Sequence, residues 1–371
     1  MTGRSPDVLI VGGGLIGCAL AAELADRGAA ATVLERGEPG GEASGAAAGM
    51  LTPQSESLSR DALFDLGLES RALYPEWVSR LVGETGLDVG YRRCGFLRCR
   101  FAGDAKADFA WQGALGLAVV EEEGAALAAR SRGRLSPDVN GAEFFPDDGV
   151  VDPRILTRAA WIAALSRGAS VRTGVSVLGF VLEKGVCRGV ETSEGTIAAG
   201  AVVDAAGAWA SFPGRLPVLL PVEPVRGQIV ALRLPAPAFE TLVASSDVYL
   251  VPRPDGTVLL GATVERVGFQ KAVTAEGVAR LIGAAVRLMP SLRDAEFVAA
   301  WAGFRPASPD GLPVLGRSPV TGLYFAAGHH RNGILLAPAT ARLVADVLAG
   351  GPARDLSAFS VERFAPMRRI A

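Results

Sequence analysis

Val8-Leu9-Ile10-Val11-Gly12-Gly13-Gly14-Leu15-Ile16-Gly17 is the stretch that decides the fold. Its first four residues are short and fully apolar, three of them β-branched, as in a strand buried on both faces of a parallel sheet. Gly12, Gly14 and Gly17 then satisfy G-x-G-x-x-G, and Ile16, Leu20 and Leu24 recur every four residues as one face of a helix reaching about Arg27. A second strand, Ala31-Thr32-Val33-Leu34, ends at Glu35, 18 residues after Gly17. Each part has a physical task in a dinucleotide site. Gly12 permits the tight turn, Gly14 lets a pyrophosphate approach the backbone, and Gly17 lets helix and strand pack closely. The helix N-terminus offers N–H groups to phosphate, and Glu35 offers acceptors to a ribose diol.

An acid at position 35 disfavours NADP but does not separate FAD from NAD. Two features favour FAD: the motif stands at the extreme N-terminus, and Val202-Val203-Asp204-Ala205-Ala206-Gly207-Ala208-Trp209 reads as a strand breaking at Gly207 where the chain returns to the cofactor. By itself that segment is also compatible with an ordinary core strand.

The remainder of the 371 residues narrows the class. At ~150 residues per domain the length gives about two and a half domains' worth of chain. Hydrophobic residues at 49% and charged residues at 20% describe a globular protein. Lys+Arg 37 against Asp+Glu 39, with a pI of about 5.9, leaves no basic footprint for nucleic acid. The two histidines, His329 and His330, are neighbours, and Cys18, Cys94, Cys99 and Cys187 are scattered. No metal centre and no disulfide framework are expected, and a reduced, cytoplasmic compartment follows. Met1 to Asp7 is polar and the apolar run after it ends in glycines, so no signal peptide is read there. Mean hydropathy is +0.30, yet no run of ~18 uncharged apolar residues occurs, so no membrane span is expected.

The likeness becomes specific at Glu42-Ala43-Ser44-Gly45-Ala46-Ala47-Ala48-Gly49-Met50-Leu51, at Trp301-Ala302-Gly303-Phe304-Arg305-Pro306 with Asp310-Gly311, and at Ala326 through Thr340. Tyr249-Leu250-Val251-Pro252-Arg253 followed by Gly261-Ala262-Thr263 belongs to the same set. The chain resembles the D-amino-acid-oxidase-like superfamily of flavoproteins and, within it, the glycine oxidases of thiamine biosynthesis, along essentially its whole length. The resemblance implies an α/β fold (α+β overall): a Rossmann-type FAD-binding domain with a second, mostly antiparallel-sheet substrate domain. It places Leu15, Ile16, Glu35, Arg36, Ala43, Ser44, Ala48, Gly49, Met50 and Val175 near non-covalent FAD, and His329, His330, Arg331, Asn332, Gly333, Ile334 and Leu335 along the flavin. It makes Arg305 the substrate-carboxylate arginine, Tyr249 the active-site tyrosine and Arg331 a second arginine touching substrate. It implies a homo-oligomer, a tetramer. Two departures stand out: Asp247 replaces a histidine and Val264 a methionine of close relatives, and both are expected to alter the pocket lining.

The chemistry implied is oxidation of a small amino acid or amine, its α-hydrogen leaving as hydride to flavin N5 and the imine hydrolysing, with oxygen giving peroxide. The flavin carries the difficult step, and a substrate with a neutral amine needs no side-chain base. What the protein must supply is a carboxylate clamp, and an arginine fork binds both oxygens. Arg305 could otherwise be a surface ion pair, Tyr249 a core strand aromatic, and His329 and His330 one packed and one solvated residue. Trp209 and Trp301 read as core, and Asp61, Asp65 and Glu69 as a solvated helix face. Arg331-Asn332-Gly333 opens a helix-type run from Ile334 to Leu348, whose N-terminus could stabilise negative charge on a reduced flavin. Helices are expected at about Arg154–Arg167 and Thr274–Met289, and a strand at Val171–Val177. The cofactor domain is expected to be discontinuous, 1–91, 149–214 and 301–371, with 92–148 and 215–300 forming the substrate domain. Alternatives are an oxidase of sarcosine, iminodiacetate or another N-substituted glycine, a D-amino-acid dehydrogenase passing electrons to a carrier, and a non-enzymatic FAD-binding scaffold.

Overall fold

In a computed structural model, residues 6–211, 216–235, 239–351 and 354–364 are described. The N-terminal residues 1–5, part of the polar stretch above, lie outside them. The strand Val8–Val11 sits inside a six-stranded sheet, in the order Val314–Arg317, Leu323–Ala327, Ala201–Asp204, Val8–Val11, Ala31–Leu34, Ser170–Arg172. Every pairing is parallel except that of the edge strand Val314–Arg317. Leu9, Ile10, Val33, Val202 and Val203 are completely buried, as a sheet covered on both faces requires.

Helices Leu15–Asp26, Pro153–Ser166 and Ala337–Leu348 pack together through buried alanines: Ala19, Ala21 and Ala22 from the first, Ala159, Ala160 and Ala163 from the second, Ala341 and Ala345 from the third. Side chains of one carbon let the helix axes approach closely. Asp152 caps the second helix, accepting from the N–H groups of Arg154 and Ile155 at 2.9 and 3.0 Å, and Pro153 supplies the fixed φ of the first turn. Helix Ala62–Thr85 lies against the last two, capped by Asp61 and closed by Gly86 at φ +69°. Asp65 and Glu69 on it pair with Arg60 and Arg354 at the surface.

An eight-stranded sheet follows the order Glu296–Ala307, Glu223–Arg233, Thr257–Gly261, Tyr249–Pro252, Leu242–Ala244, Phe96–Phe101, Val139–Phe145, Val120–Glu122. It is antiparallel apart from the pairing of Leu242–Ala244 with Phe96–Arg98. Alternation divides its faces. Val230, Leu232, Leu250, Val258 and Leu260 pack beneath helix Ala275–Leu288, which is capped by Thr274 and lies where a helix is expected. Ile229, Ala231, Tyr249, Val251 and Leu259 face the other way, into a cluster with Ala48, Met50 and Val150. Trp301 anchors the two halves, its Nε1–H donating to the Ala46 carbonyl at 3.0 Å.

Two elements differ from expectation. The run Val171–Val177 is broken: strand Ser170–Arg172 ends, Gly174 turns at φ +75°, and Val177–Glu183 begins a separate three-stranded sheet. The strand Glu296–Ala307 carries 301–307, grouped above with the cofactor half, into the eight-stranded sheet, because Ala299–Ala307 pair residue for residue with Glu223–Ala231 and, after a register shift at Val298, Glu296 and Phe297 pair with Arg233 and Leu232.

Candidate active site

The glycine loop is shaped by close approaches. Gly12 has φ +106°, and a Cβ there would stand 2.6 Å from the Ala205 carbonyl oxygen. A Cβ on Gly17 would stand 2.0 Å from the Gly12 carbonyl oxygen. Gly14 differs: only Ser44 Oγ, at 3.2 Å, is within reach of its missing Cβ, so its backbone opens onto a cavity of about 470 Å³. Ser44 Oγ accepts from the Leu15 N–H at 3.0 Å, fixing the helix start. Glu35 accepts from the Gly13 N–H at 2.7 Å through one oxygen and from the Gly37 N–H at 2.8 Å through the other. Each oxygen keeps a lone pair for a diol. A bare backbone at Gly14, a helix N-terminus and an oriented carboxylate suit the adenosine and diphosphate of FAD.

Gly12, Gly14, Leu15, Ile16, Glu35, Arg36, Ala43, Ser44, Ala48, Gly49, Met50, Val175, Gly207, Tyr249, Arg305 and His329 through Ile334 line this single cavity. Gly17 and Leu335 do not. Gly17 packs helix against strand. Leu335 turns into the core shared with helix Ala62–Thr85, where Ser70 Oγ–H donates to its carbonyl at 2.6 Å.

At the far end of the cavity the sheet supplies the charged groups. Arg305 lies over Gly227 on the neighbouring strand, whose missing Cβ would fall 2.4–2.6 Å from the guanidinium. Tyr249 lies over Gly261 on its own neighbour, with a corresponding distance of 2.3 Å to the hydroxyl. Bare backbone at two strand positions therefore lets both side chains lie flat on the sheet and meet. Arg305 donates from Nη1 to the Thr263 carbonyl at 2.9 Å. That carbonyl is held by a polar network: Thr263 Oγ1 accepts from the Gln228 N–H at 2.9 Å and donates to Glu265, which pairs with Arg226. Burial pulls the Arg305 pKa down against the stabilising Tyr249 beside it, and burial pushes the Tyr249 hydroxyl up against Arg305 and Arg331.

His329 is fully buried against Thr340, 3.0 Å from Nε2 to Oγ1, and burial pulls its pKa to about 3. His330, at φ +47°, falls to about 4 through burial and the positive charge of Arg305 and Arg331. Both rings are neutral near pH 7. Arg331 reaches the cavity mouth, 46% exposed, paired with Glu56 at 3.3 Å. The helix-type run begins later than expected, at Ala337 with Pro338 in its first turn. His330–Asn332 forms a separate 3-10 turn, and the Leu336 N–H reaches back to the Asn332 carbonyl at 2.8 Å.

Asp247 and Val264 do not alter the cavity lining. Asp247 faces solvent, 3.9 Å from Arg287, and Val264 is 62% exposed. Trp209 is a cavity residue rather than plain core, stacked on Phe269 with Arg36 3.9 Å over its ring. Sequence reasoning missed Glu56, Gly227 and Asp204 in the lining, the last pushed by burial to about 7. An isolated glycine within a strand pattern signals close approach and could have exposed Gly227 and Gly261. Nothing local marks Glu56. Among the described residues no cluster of His, Cys, Asp and Glu could hold a metal ion, and no helix is long and apolar enough to cross a membrane.

Comparison with known proteins agrees with this geometry. Residues 7–347 match the family described as FAD dependent oxidoreductase. The chain is 40% identical to the bifunctional protein ThiO/ThiG of Trichormus variabilis, over 96% of this chain and 55% of that protein. It thus spans about half the length of the first curated relatives. It is also 40% identical to a glycine oxidase of Geobacillus kaustophilus, over 96% of this chain and 97% of that one. The crystal structure of glycine oxidase from that organism superposes with a TM-score of 0.92 at 38% identity, covering 97% and 99% of the two chains. An iminodiacetate oxidase structure from Chelativorans sp. BNC1 gives 0.83 at 30% identity, covering 95% and 98%. The chain belongs to the family of FAD dependent oxidoreductases.

Proposed function

We propose that this protein is an FAD-dependent oxidase of glycine and related small amines, sarcosine and small D-amino acids among them. One observation carries the proposal: Arg305 and Tyr249 lie together on the sheet, in the same cavity that begins at Glu35. The names of the similar proteins, glycine oxidase and iminodiacetate oxidase, support it. FAD, when bound, supplies the two-electron acceptor for the substrate α-hydrogen. The products are then the 2-oxo acid formed by hydrolysis of the imine, ammonia or an amine, and hydrogen peroxide from oxygen.

The protein's own groups bind and orient. Arg305 holds the substrate carboxylate through the part of its fork not engaged by Thr263, and the Tyr249 hydroxyl donates to the same group. Neutral His330 adds no cation beside Arg305 and Arg331, and the Glu56 carboxylate offsets part of their charge. No side chain is required as base when the amine enters unprotonated.

Arg331 favours one second reading. A second arginine at the mouth could take the distal carboxylate of iminodiacetate. The same proposal includes non-covalent FAD, a cytoplasmic location supported by four free cysteines, and a product serving thiamine biosynthesis by resemblance. It includes a homotetramer, supported by Phe297 and Val298 exposed on an edge strand, and a division into a cofactor half (1–91, 149–214 and the chain after Ala307) and a substrate half that keeps the strand Glu296–Ala307. A peroxide-coupled screen of glycine, sarcosine, iminodiacetate and small D-amino acids tests the reaction. Flavin bleaching by glycine without oxygen, but no peroxide in air, would instead indicate a dehydrogenase; absence of bleaching by every amine would refute the enzyme.

A further inference from the structure

Residues 52–57 form a turn between the strand Met50–Leu51 and the helix Ala62–Thr85. Its backbone is held from several sides by groups outside the cavity. Asp148, with no exposed surface, accepts from the Ser55 N–H at 3.1 Å through one oxygen and from Arg71 at 2.7 Å through the other. Arg98 donates to the Ser55 carbonyl at 3.1 Å. Gln112 donates to the Gln54 carbonyl at 2.9 Å and accepts from the Gln54 amide at 3.1 Å. Both backbone groups of Ser55 are thus fixed, and the next residue is Glu56, whose carboxylate meets Arg331 in the cavity.

A buried ion pair contributes little net stability, because desolvation offsets the attraction. Arg71 and Asp148 are therefore poorly explained as a staple. Their geometry gives something else, one carboxylate oxygen at a set position for one backbone N–H.

We propose that the Asp148–Arg71 pair is a positioning device for substrate binding: it fixes Ser55, Ser55 sets Glu56, and Glu56 sets the angle at which Arg331 faces the cavity. This rests on the reading that Arg331 contacts substrate. Without the Asp148–Arg71 pair the Ser55 N–H would lose its partner and the turn would be held only from the carbonyl side, by Arg98 and Gln112, leaving Glu56 and the half-exposed Arg331 more rotamers to sample.

The test is steady-state kinetics of the holoenzyme with glycine. Arg331→Met, Glu56→Gln, Asp148→Asn and the Asp148→Asn/Glu56→Gln double variant are compared with native protein. Each single variant should raise KM, Glu56→Gln and Asp148→Asn by about five-fold, the upper range for one partly exposed ion pair, with kcat nearly unchanged. In the Glu56→Gln background Asp148→Asn should add almost nothing, because the path through Glu56 is already cut. A KM for Asp148→Asn within 1.5-fold of native, or an equal rise in both backgrounds, overturns the positioning role. Where Asp148→Asn yields no folded holoenzyme, Arg98→Met probes the same peptide from its carbonyl side, with the same pattern expected. If Arg331→Met leaves KM unchanged, the site reading itself fails and the inference with it. If Arg331→Met raises KM and the other variants do not, only the positioning is refuted.

Discussion

Replacing Gly227 by alanine isolates the geometry of the carboxylate clamp from its chemistry. The new Cβ would lie 2.4, 2.5 and 2.6 Å from Nη2, Cζ and Nη1 of Arg305, whereas unbonded heavy atoms settle at ~3.5–4.0 Å. The guanidinium must rise from the sheet by roughly 1 Å. Its bond to the Thr263 carbonyl, 2.9 Å now, would then lengthen beyond useful range. Misplacement of a binding group by ~1 Å can cost about 100-fold. The expected fall in kcat/KM, per bound flavin, is therefore roughly 30- to 100-fold and mainly in KM. Stability should barely move, since Gly227 lies within a strand, outside the left-handed region, and the clashing atoms are the free end of a side chain. Chain entropy even favours alanine there. The measurements are peroxide-coupled kinetics on glycine, the flavin-to-protein absorbance ratio and a thermal melt. A kcat/KM within threefold of native, with FAD stoichiometric, would refute the placement of Arg305 as the clamp.

Arg305→Ala removes the clamp outright and should raise KM by roughly 30- to several-thousand-fold, the cost of a desolvated carboxylate losing its partner; Arg305→Lys should recover only part. Kinetics of both on glycine and sarcosine check this, and a KM within twofold of native for the alanine variant would remove Arg305 from the site. Gly14→Val should purify without yellow colour, because a branched side chain would occupy the space left for the diphosphate; stoichiometric FAD in the variant would contradict that. His329 supplies a pH test. Its pKa lies near 3 folded and near 6.5 unfolded, so below 6.5 the unfolded chain gains a proton that the folded chain refuses. Stability present above pH 6.5 is therefore lost as pH falls toward 3, by about 2 kcal/mol between 6.5 and 5 from this residue. Urea unfolding at both values, with FAD in excess, should show a smaller loss for His329→Gln than for native protein.

Much of the cofactor end was legible because its signals are local. Val8–Val11, the three glycines, the helix and Glu35 follow one another, and each constrains the next through backbone geometry alone. Thr274 was likewise readable as a helix start, since a cap and the stripe it precedes are neighbours in sequence. The misreadings share a cause. Gly174 breaks the strand after Arg172, but its turn is set by the Val175 N–H bonding the Glu35 carbonyl, a contact across two segments. The helix start at Ala337 depends on Ser70 and Tyr74 of another helix binding the Leu335 and Ile334 carbonyls. Glu56 is invisible as a site residue because its partner, Arg331, stands 275 residues away.

The central place of Val8–Val11 in its sheet has a consequence for synthesis. Val8 pairs on one side with Ala31, but on the other with Ala201, about 190 residues later. At ~5–20 residues per second the ribosome needs on the order of ten to forty seconds to deliver that partner. Throughout that interval one edge of an apolar strand has no mate, and edges of this kind recruit other chains. The cofactor cavity is closed later still, by residues 329–334, so FAD can recognise its finished site only after those residues have been made. Flavin is then a ligand of the last folding steps, and its supply should govern yield more than it governs the early collapse.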